Sequence, residues 1–180
     1  RITLQLAIIG AGYIIASNIL GASQAREYGM DARGTGWLFG IGCLFSVVAA
    51  RFYPQLREWV GEKKLVAVTA TIMLASFLIA RYVGVGIGVG LILMRIASSS
   101  TFRNTRSVIV NEWISSKNRA TALSSLNLLT QTPYIFLSPL FGMMIDKSSP
   151  NQFAWMLGVG IMVALVIIQF ARAASIRERR

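Results

Sequence analysis

Six long apolar segments fill almost the whole chain, and they restrict its possible folds more than any other feature. They cover residues 2–22, 35–53, 65–80, 82–113, 121–145 and 152–171. A helix needs about 20 mostly apolar residues, range roughly 17–25, to cross a bilayer. In hydrocarbon, backbone polar groups are satisfied only inside helices or closed barrels. The expected fold class is therefore an all-α membrane protein, with six transmembrane helices forming one domain over residues 1–180. The third segment is short, and the fourth is long and polar in its second half. A cleaved signal peptide does not account for residues 2–22, which exceed a signal core of about 7–15 residues and precede five further spans.

Composition points the same way. Of 180 residues, 54% are apolar and 14% charged, against about 25% charged in a soluble domain. Mean hydropathy is +0.59, which leaves too little polar surface to cover a water-soluble globule. There is no histidine, so Ser-His and Cys-His catalytic pairs and the common imidazole metal sites are excluded. The single Cys43 cannot close a disulfide within the chain and reads as a small hydrophobe in an apolar run. A net charge of +11 would suit nucleic acid if the cations shared a solvated patch with stacking aromatics. Instead they fall in the short breaks between apolar segments, so no nucleic-acid partner is expected and the bilayer is the expected surroundings.

The distribution of cations between alternate loops orients the chain. Arg1, Arg51, Arg57, Lys63, Lys64, Lys117, Arg119, Arg172, Arg177, Arg179 and Arg180 fall on one side, and only Arg26, Arg33, Arg81 and Lys147 on the other. By the positive-inside rule both termini are cytoplasmic, as in a multi-pass protein of the cell (inner) membrane. Trp37, Tyr82 and Trp155 near one boundary and Tyr53, Trp59 and Trp113 near the other agree with interfacial aromatic belts.

The three remaining cations, Arg95, Arg103 and Arg106, lie within the fourth segment, where an intramembrane arginine marks a functional site by default. At 3.6 residues per turn they share one face with Ser99 and Phe102. Arg103 lies about 15 Å inside Trp113, which favours a water-filled cavity, whereas Arg106 reads equally as a cavity residue or as one snorkelling to the headgroups. The fifth segment carries Ser124, Asn127, Gln131, Tyr134 and Ser138 at helical spacing. That stripe suits either interhelical hydrogen bonding or cavity lining, with Gln131 and Tyr134 best placed to meet a ligand. Tyr13, Ser17 and Gln24, with Asn18 beside them, form a weaker stripe in the first segment. Pro133 and Pro139 should kink the fifth helix.

Two glycine patterns mimic nucleotide and ion sites. Residues 7–16, AIIGAGYIIA, lack the last glycine of a dinucleotide fingerprint and any alternating strand and helix pattern. Residues 83–90, VGVGIGVG, lack the rest of a potassium filter and suit small-residue packing through Gly84/Gly88 and Gly86/Gly90.

Two loops carry a family likeness. After the second segment the chain reads Pro54-Gln-Leu-Arg57-Glu58-Trp-Val-Gly61-Glu-Lys63-Lys64. This resembles a degenerate G-x-x-x-D-[RK]-x-G-[RK]-R signature of the major facilitator superfamily, with Glu58 for the acid, Gly61 for the turn and Lys63 and Lys64 for the basic end. Pro54 and Trp59 depart from it. The stretch Asn111-Glu-Trp-Ile-Ser-Ser-Lys-Asn-Arg119-Ala-Thr-Ala-Leu-Ser124, continuing to Ser138-Pro-Leu-Phe-Gly142-Met-Met-Ile-Asp146, is similar to the region between the tenth and eleventh helices of many drug and solute transporters of that superfamily.

The resemblance implies the second six-helix half of a twelve-helix transporter, built from two inverted three-helix repeats with substrate bound between halves near the midplane. The start at Arg1 rather than Met fits a piece lacking a first six-helix half, which would be its partner. The expected function is alternating-access transport of a small solute. The arginine face favours an anionic one. The expected cavity residues are Arg103, Arg95, Arg106, Gln131, Tyr134, Asn127, Tyr13 and Ser17, and the expected cytoplasmic loop motif is Glu58, Gly61, Lys63, Lys64 and Arg119. No catalytic residue, cofactor or metal is expected. A six-helix channel or membrane scaffold is the alternative, supported only by the glycine pairs, and a membrane enzyme would need an acid, base or metal site that the spans do not offer.

Overall fold

In a computed structural model, residues 2–114 and 118–177 are described; Arg1, Ser115, Ser116, Lys117, Glu178, Arg179 and Arg180 lie outside them. The described residues are helical almost throughout, with no strand among them. In order they form α1 (Ile2–Ile15), a π-helical turn (Ala16–Leu20), α2 (Gly21–Glu27), α3 (Ala32–Arg51), α4 (Tyr53–Val60), α5 (Glu62–Ile79), a 3-10 turn (Ala80–Tyr82), α6 (Val85–Trp113), α7 (Arg119–Lys147) and α8 (Pro150–Arg177).

Among the described residues, five helical stretches are long and apolar enough to cross a membrane: Thr3–Glu27, Ala32–Arg51, Glu62–Tyr82, Val85–Glu112 and Pro150–Ala171. A sixth qualifies if the two parts of α7, Arg119–Phe136 and Ser138–Lys147, count as one span bent by 44°. The bend has a covalent cause, because Pro133 and Pro139 lie inside α7 and each removes a helical N–H. Pro139 would otherwise donate to Ile135, whose carbonyl instead accepts from Ser138 Oγ at 3.4 Å.

Local chemistry sets the other boundaries. The first helix continues past Ala22, where its apolar run stops, to Glu27, since Gln24 and Ala25 are buried. Gly29, at φ +80°, then reverses the chain, a conformation that favours glycine. The Asp31 carboxylate accepts from the Gly34 N–H at 2.7 Å and caps α3. Pro54 sits in the first turn of α4, where no helical donor is lost. Gly61, again at φ +80°, separates α4 from α5. The short third segment lengthens at both ends, taking Glu62, Lys63 and Lys64 as its first turn.

The chief pairings are α3 on α6, α5 on α6, α1 on α7 and α5 on α8. The main core joins Leu6, Ile9 and Tyr13 of α1 to Met73 and Phe77 of α5, Phe102 of α6 and Phe153 of α8. Glycines allow the close crossings: a Cβ on Gly42 would lie 2.8 Å from Ile96, and one on Gly158 would lie 2.9 Å from Phe77. Outward faces are apolar, with Trp37, Leu44 and Phe45 of α3, Phe136 of α7 and Ile167 and Phe170 of α8 exposed. Such surface is compatible with a multi-pass integral membrane protein.

Side-chain bonds tie the helix ends together. Arg57 reaches Glu112, joining α4 to the end of α6. At the opposite end Gln24 reaches Asn151 at the start of α8, and the Tyr28 hydroxyl donates to the Ala80 carbonyl at 3.1 Å.

Candidate functional site

A cleft of about 820 Å³ opens between α1 with its π turn, α3, α6 and α7. Arg103 and Arg106 of α6 border it, facing Asn127, Thr130 and Gln131 of α7. Ser17 and Asn18 on the π turn and Cys43 and Ser46 of α3 line the other side. No Asp or Glu is among the described lining residues, so the cleft is cationic.

The three arginines differ in their surroundings. Arg95 is 3% exposed. It donates to Gln24 Oε1 at 2.9 Å and stands 5.2 Å from the centroid of the Phe77 ring, so amide and ring hold the charge where water does not reach. Arg106 is half-buried and donates to Asn127 Oδ1 at 2.7 Å and to Thr130 Oγ1 at 3.3 Å. Gly10 of α1 lets these groups meet, since a Cβ there would lie 2.5 Å from Thr130 Cγ2 and 3.4 Å from an Arg106 nitrogen. Arg103, one turn away, is exposed and makes no hydrogen bond or ion pair with any described residue. Gln131, Ser17 and Asn18 are likewise exposed at the cleft. A ligand entering the cleft therefore meets one free guanidinium and neutral hydrogen-bonding groups.

The π turn contributes to that lining. An i→i+5 turn overfills the helix by one residue, and π turns recur at functional positions. Below it, the Tyr13 hydroxyl donates to the Thr69 carbonyl at 2.7 Å, lies 2.9 Å from Ser98 Oγ, and has its ring 5.3 Å from that of Phe102. Tyr13 borders the cleft with its hydroxyl already engaged.

Seven of the eight expected cavity residues border this cleft: Arg95, Arg103, Arg106, Gln131, Asn127, Tyr13 and Ser17. Tyr134 does not. It is half-buried and packs against the main core. Residues missing from the expectation include Cys43 and Ser46 of α3 and Thr130 of α7.

At the far end of the bundle the loop motif is rearranged. Glu58 is exposed and makes no ion pair among the described residues. The acids that act are Glu62, which takes the Arg57 Nε at 2.6 Å, and Glu112, which takes the same guanidinium. The hydrogen bond that Arg57 donates to Glu62, with the charges of Glu62 and Glu112, holds the Arg57 guanidinium above its ordinary value against partial desolvation. Gly61 makes the turn; Lys63, Lys64 and Arg119 are exposed. Of the glycine pairs, Gly88 packs within the chain, where a Cβ would lie 2.2 Å from Tyr28 Cζ. No group of three or more metal-ligating side chains occurs among the described residues.

The sequence matches no protein-family model, and comparison with curated proteins and with solved structures gives no significant match.

Proposed function

We propose that the chain is the C-terminal six-helix half of a secondary transporter of the major facilitator type, binding a small anionic solute in the cleft. In this reading α1–α2, α3 and α5 form one three-helix repeat and α6, α7 and α8 the other, inverted. Both termini are cytoplasmic, and a second six-helix half faces the cleft and rocks against this one. The reading draws on the loop resemblances and on the cleft's use of the first, second, fourth and fifth spans, with α5 and α8 packed behind.

The observation that carries it is Arg103, a free guanidinium at a cleft without acidic lining among the described residues. A solvent-exposed arginine at a membrane boundary needs no cleft, whereas one placed beside Arg106, Asn127 and Gln131 offers a carboxylate or phosphate two-pronged donation.

Cys43, at the cleft and the only cysteine of the chain, reports on occupancy. In nanodiscs, an anionic thiol reagent should modify it faster than a cationic one of the same size, and inorganic phosphate or small carboxylates should protect it. Equal rates with both reagents, or equal protection by neutral and cationic solutes, would overturn the reading.

A further inference from the structure

The cleft that holds Arg103 is polar at one end and apolar at the other. Helices α3 and α6 run side by side in the same direction: a Cβ on Gly42 would lie 2.8 Å from Ile96, Ser46 Oγ donates to the Ile96 carbonyl at 3.3 Å, and Ser100 Oγ donates to the Ser46 carbonyl at 3.4 Å. Arg103 and Arg106 follow this contact along α6 and meet Asn127 and Gln131 of α7. Before it, the cleft is lined by Ile92 and Ile96 of α6 and by Phe39 and Cys43 of α3. At 1.5 Å per residue, α6 rises about 10 Å from Ile96 to Arg103 and about 16 Å from Ile92 to Arg103.

The polar groups of the α3–α6 wall are already engaged. Ser99 Oγ, like that of Ser46, donates to the Ile96 carbonyl, at 2.8 Å. Arg95 borders the same stretch but is 3% exposed and bound to Gln24. Across the cleft Ser17 and Asn18 are exposed and neutral. The ring of Phe39 reaches toward the first helix at the far end, where a Cβ on Gly21 would lie 2.9 Å from its Cζ. An apolar group laid on this wall gains by leaving water, whereas a charged one would lose hydration without finding a free partner.

We propose that the solute is an amphipathic monoanion: a carboxylate held at Arg103, with an alkyl or arylalkyl body of about 10 Å lying along α3 and α6 toward Phe39. A second anionic group on such a body would meet no free cation among the described lining residues. The proposal rests on the anionic reading of the cleft and narrows it to solutes with one charged head and an apolar body.

Cys43 stands on the apolar wall and reports its occupancy. In nanodiscs, protection from an anionic thiol reagent is measured for acetate, butyrate, hexanoate and octanoate at known free concentration. Octanoate should reach half-protection at a concentration tenfold or more below that of acetate, the gain from about two buried methylenes. Octanamide, which has the same body without the charge, should not protect in that range. Equal half-protecting concentrations across the series, with inorganic phosphate still protecting, would overturn the amphipathic solute and leave the anionic cleft standing. Protection by octanamide equal to that by octanoate would overturn it as well, since the charged head would then play no part. Protection by none of the anions would remove the anionic reading and this proposal with it. Phe39→Ala should reduce the advantage of octanoate over acetate several-fold while phosphate protection stays unchanged, and an undiminished advantage would exclude the placement of the body. Should that variant not fold, the series on the unmodified chain decides.

Discussion

The Arg95 guanidinium donates to Gln24 Oε1 at 2.9 Å, and the Nε2 of the same amide donates to Asn151 Oδ1 at 2.9 Å. One neutral side chain thus links a buried cation on α6 to the start of α8, whose Asn151 N–H donates to Glu27 at 2.7 Å. A hydrogen bond to a charged group contributes about 1.5–3 kcal/mol, whereas neutral pairs between membrane helices average about 0.6 kcal/mol. Gln24→Ala should therefore destabilise the bundle more than Asn151→Ala in thermal unfolding in nanodiscs. Equal losses would mean that Arg95 is held by other groups.

The same helix α6 offers a paired test of packing. At Gly88 an added Cβ would lie 2.2 Å from Tyr28 Cζ, while at Gly90 it would meet nothing within 4 Å. Overpacking costs about 1–3 kcal/mol, and replacing a helical glycine by alanine in open space gains up to about 1 kcal/mol. Gly88→Ala should lower the unfolding temperature and Gly90→Ala should hold or raise it. The opposite order would show that Tyr28 does not pack there.

Positions set by helical periodicity were legible in the sequence. The spans come directly from apolar runs, and Arg103, Asn127 and Gln131 meet at the cleft because i, i+3 and i+4 spacing already places them on one face of each helix. The features that escaped depend on partners distant in sequence. Gln24 extends the first helix because Arg95 and Asn151, 71 and 127 residues away, satisfy it, and no local pattern announces that. Tyr134 keeps the spacing of its stripe yet packs against the main core, most of whose members lie far from it in sequence. In the loop motif, sequence position favoured Glu58, yet Arg57 finds its acids at Glu62 and Glu112, since α6 returns beside α4.

That ion cluster gives a prediction with a definite sign. Arg57 is held above an already high ordinary value, so its contribution is fully present below that value and is lost only as pH rises through the folded one, beyond the range in which the protein is handled. Titrating from pH 6 to pH 9, where a guanidinium stays charged, should leave the Arg57 contribution unchanged. Glu112→Gln should act by weakening the tie between α4 and α6. Hydrogen exchange over Tyr53–Val60 should rise in that variant while the α5 core stays protected. Unchanged exchange in α4 would mean that the pair contributes nothing.

Orientation is checked separately from the site. The eleven cations at one set of loops predict that Lys63, Lys117 and Arg177 face the cytoplasm. Single cysteines placed there in a Cys43→Ala background should resist an impermeant thiol reagent added to intact cells and react after permeabilisation. Strong labelling from outside reverses the topology.

Arg103 and Arg106 separate ligand chemistry from packing within one helix turn. Arg103 is exposed at the cleft without a partner among the described residues, so Arg103→Ala should shift stability by no more than about 0.5 kcal/mol, as for a surface change away from special features. The same change removes a charge-assisted donor from a bound anion, worth about 1.5–3 kcal/mol, or roughly 10–150-fold in affinity. Arg103→Lys keeps the charge but loses the planar fork, and its affinity should fall between the two. Arg106 already holds Asn127 and Thr130, so Arg106→Ala should lower stability and affinity together. The measurement is protection of Cys43 by inorganic phosphate or small carboxylates, with thermal unfolding followed in parallel. A loss of stability in Arg103→Ala equal to that in Arg106→Ala, with anion protection unchanged in both, would make the pair a structural clamp and place the ligand elsewhere.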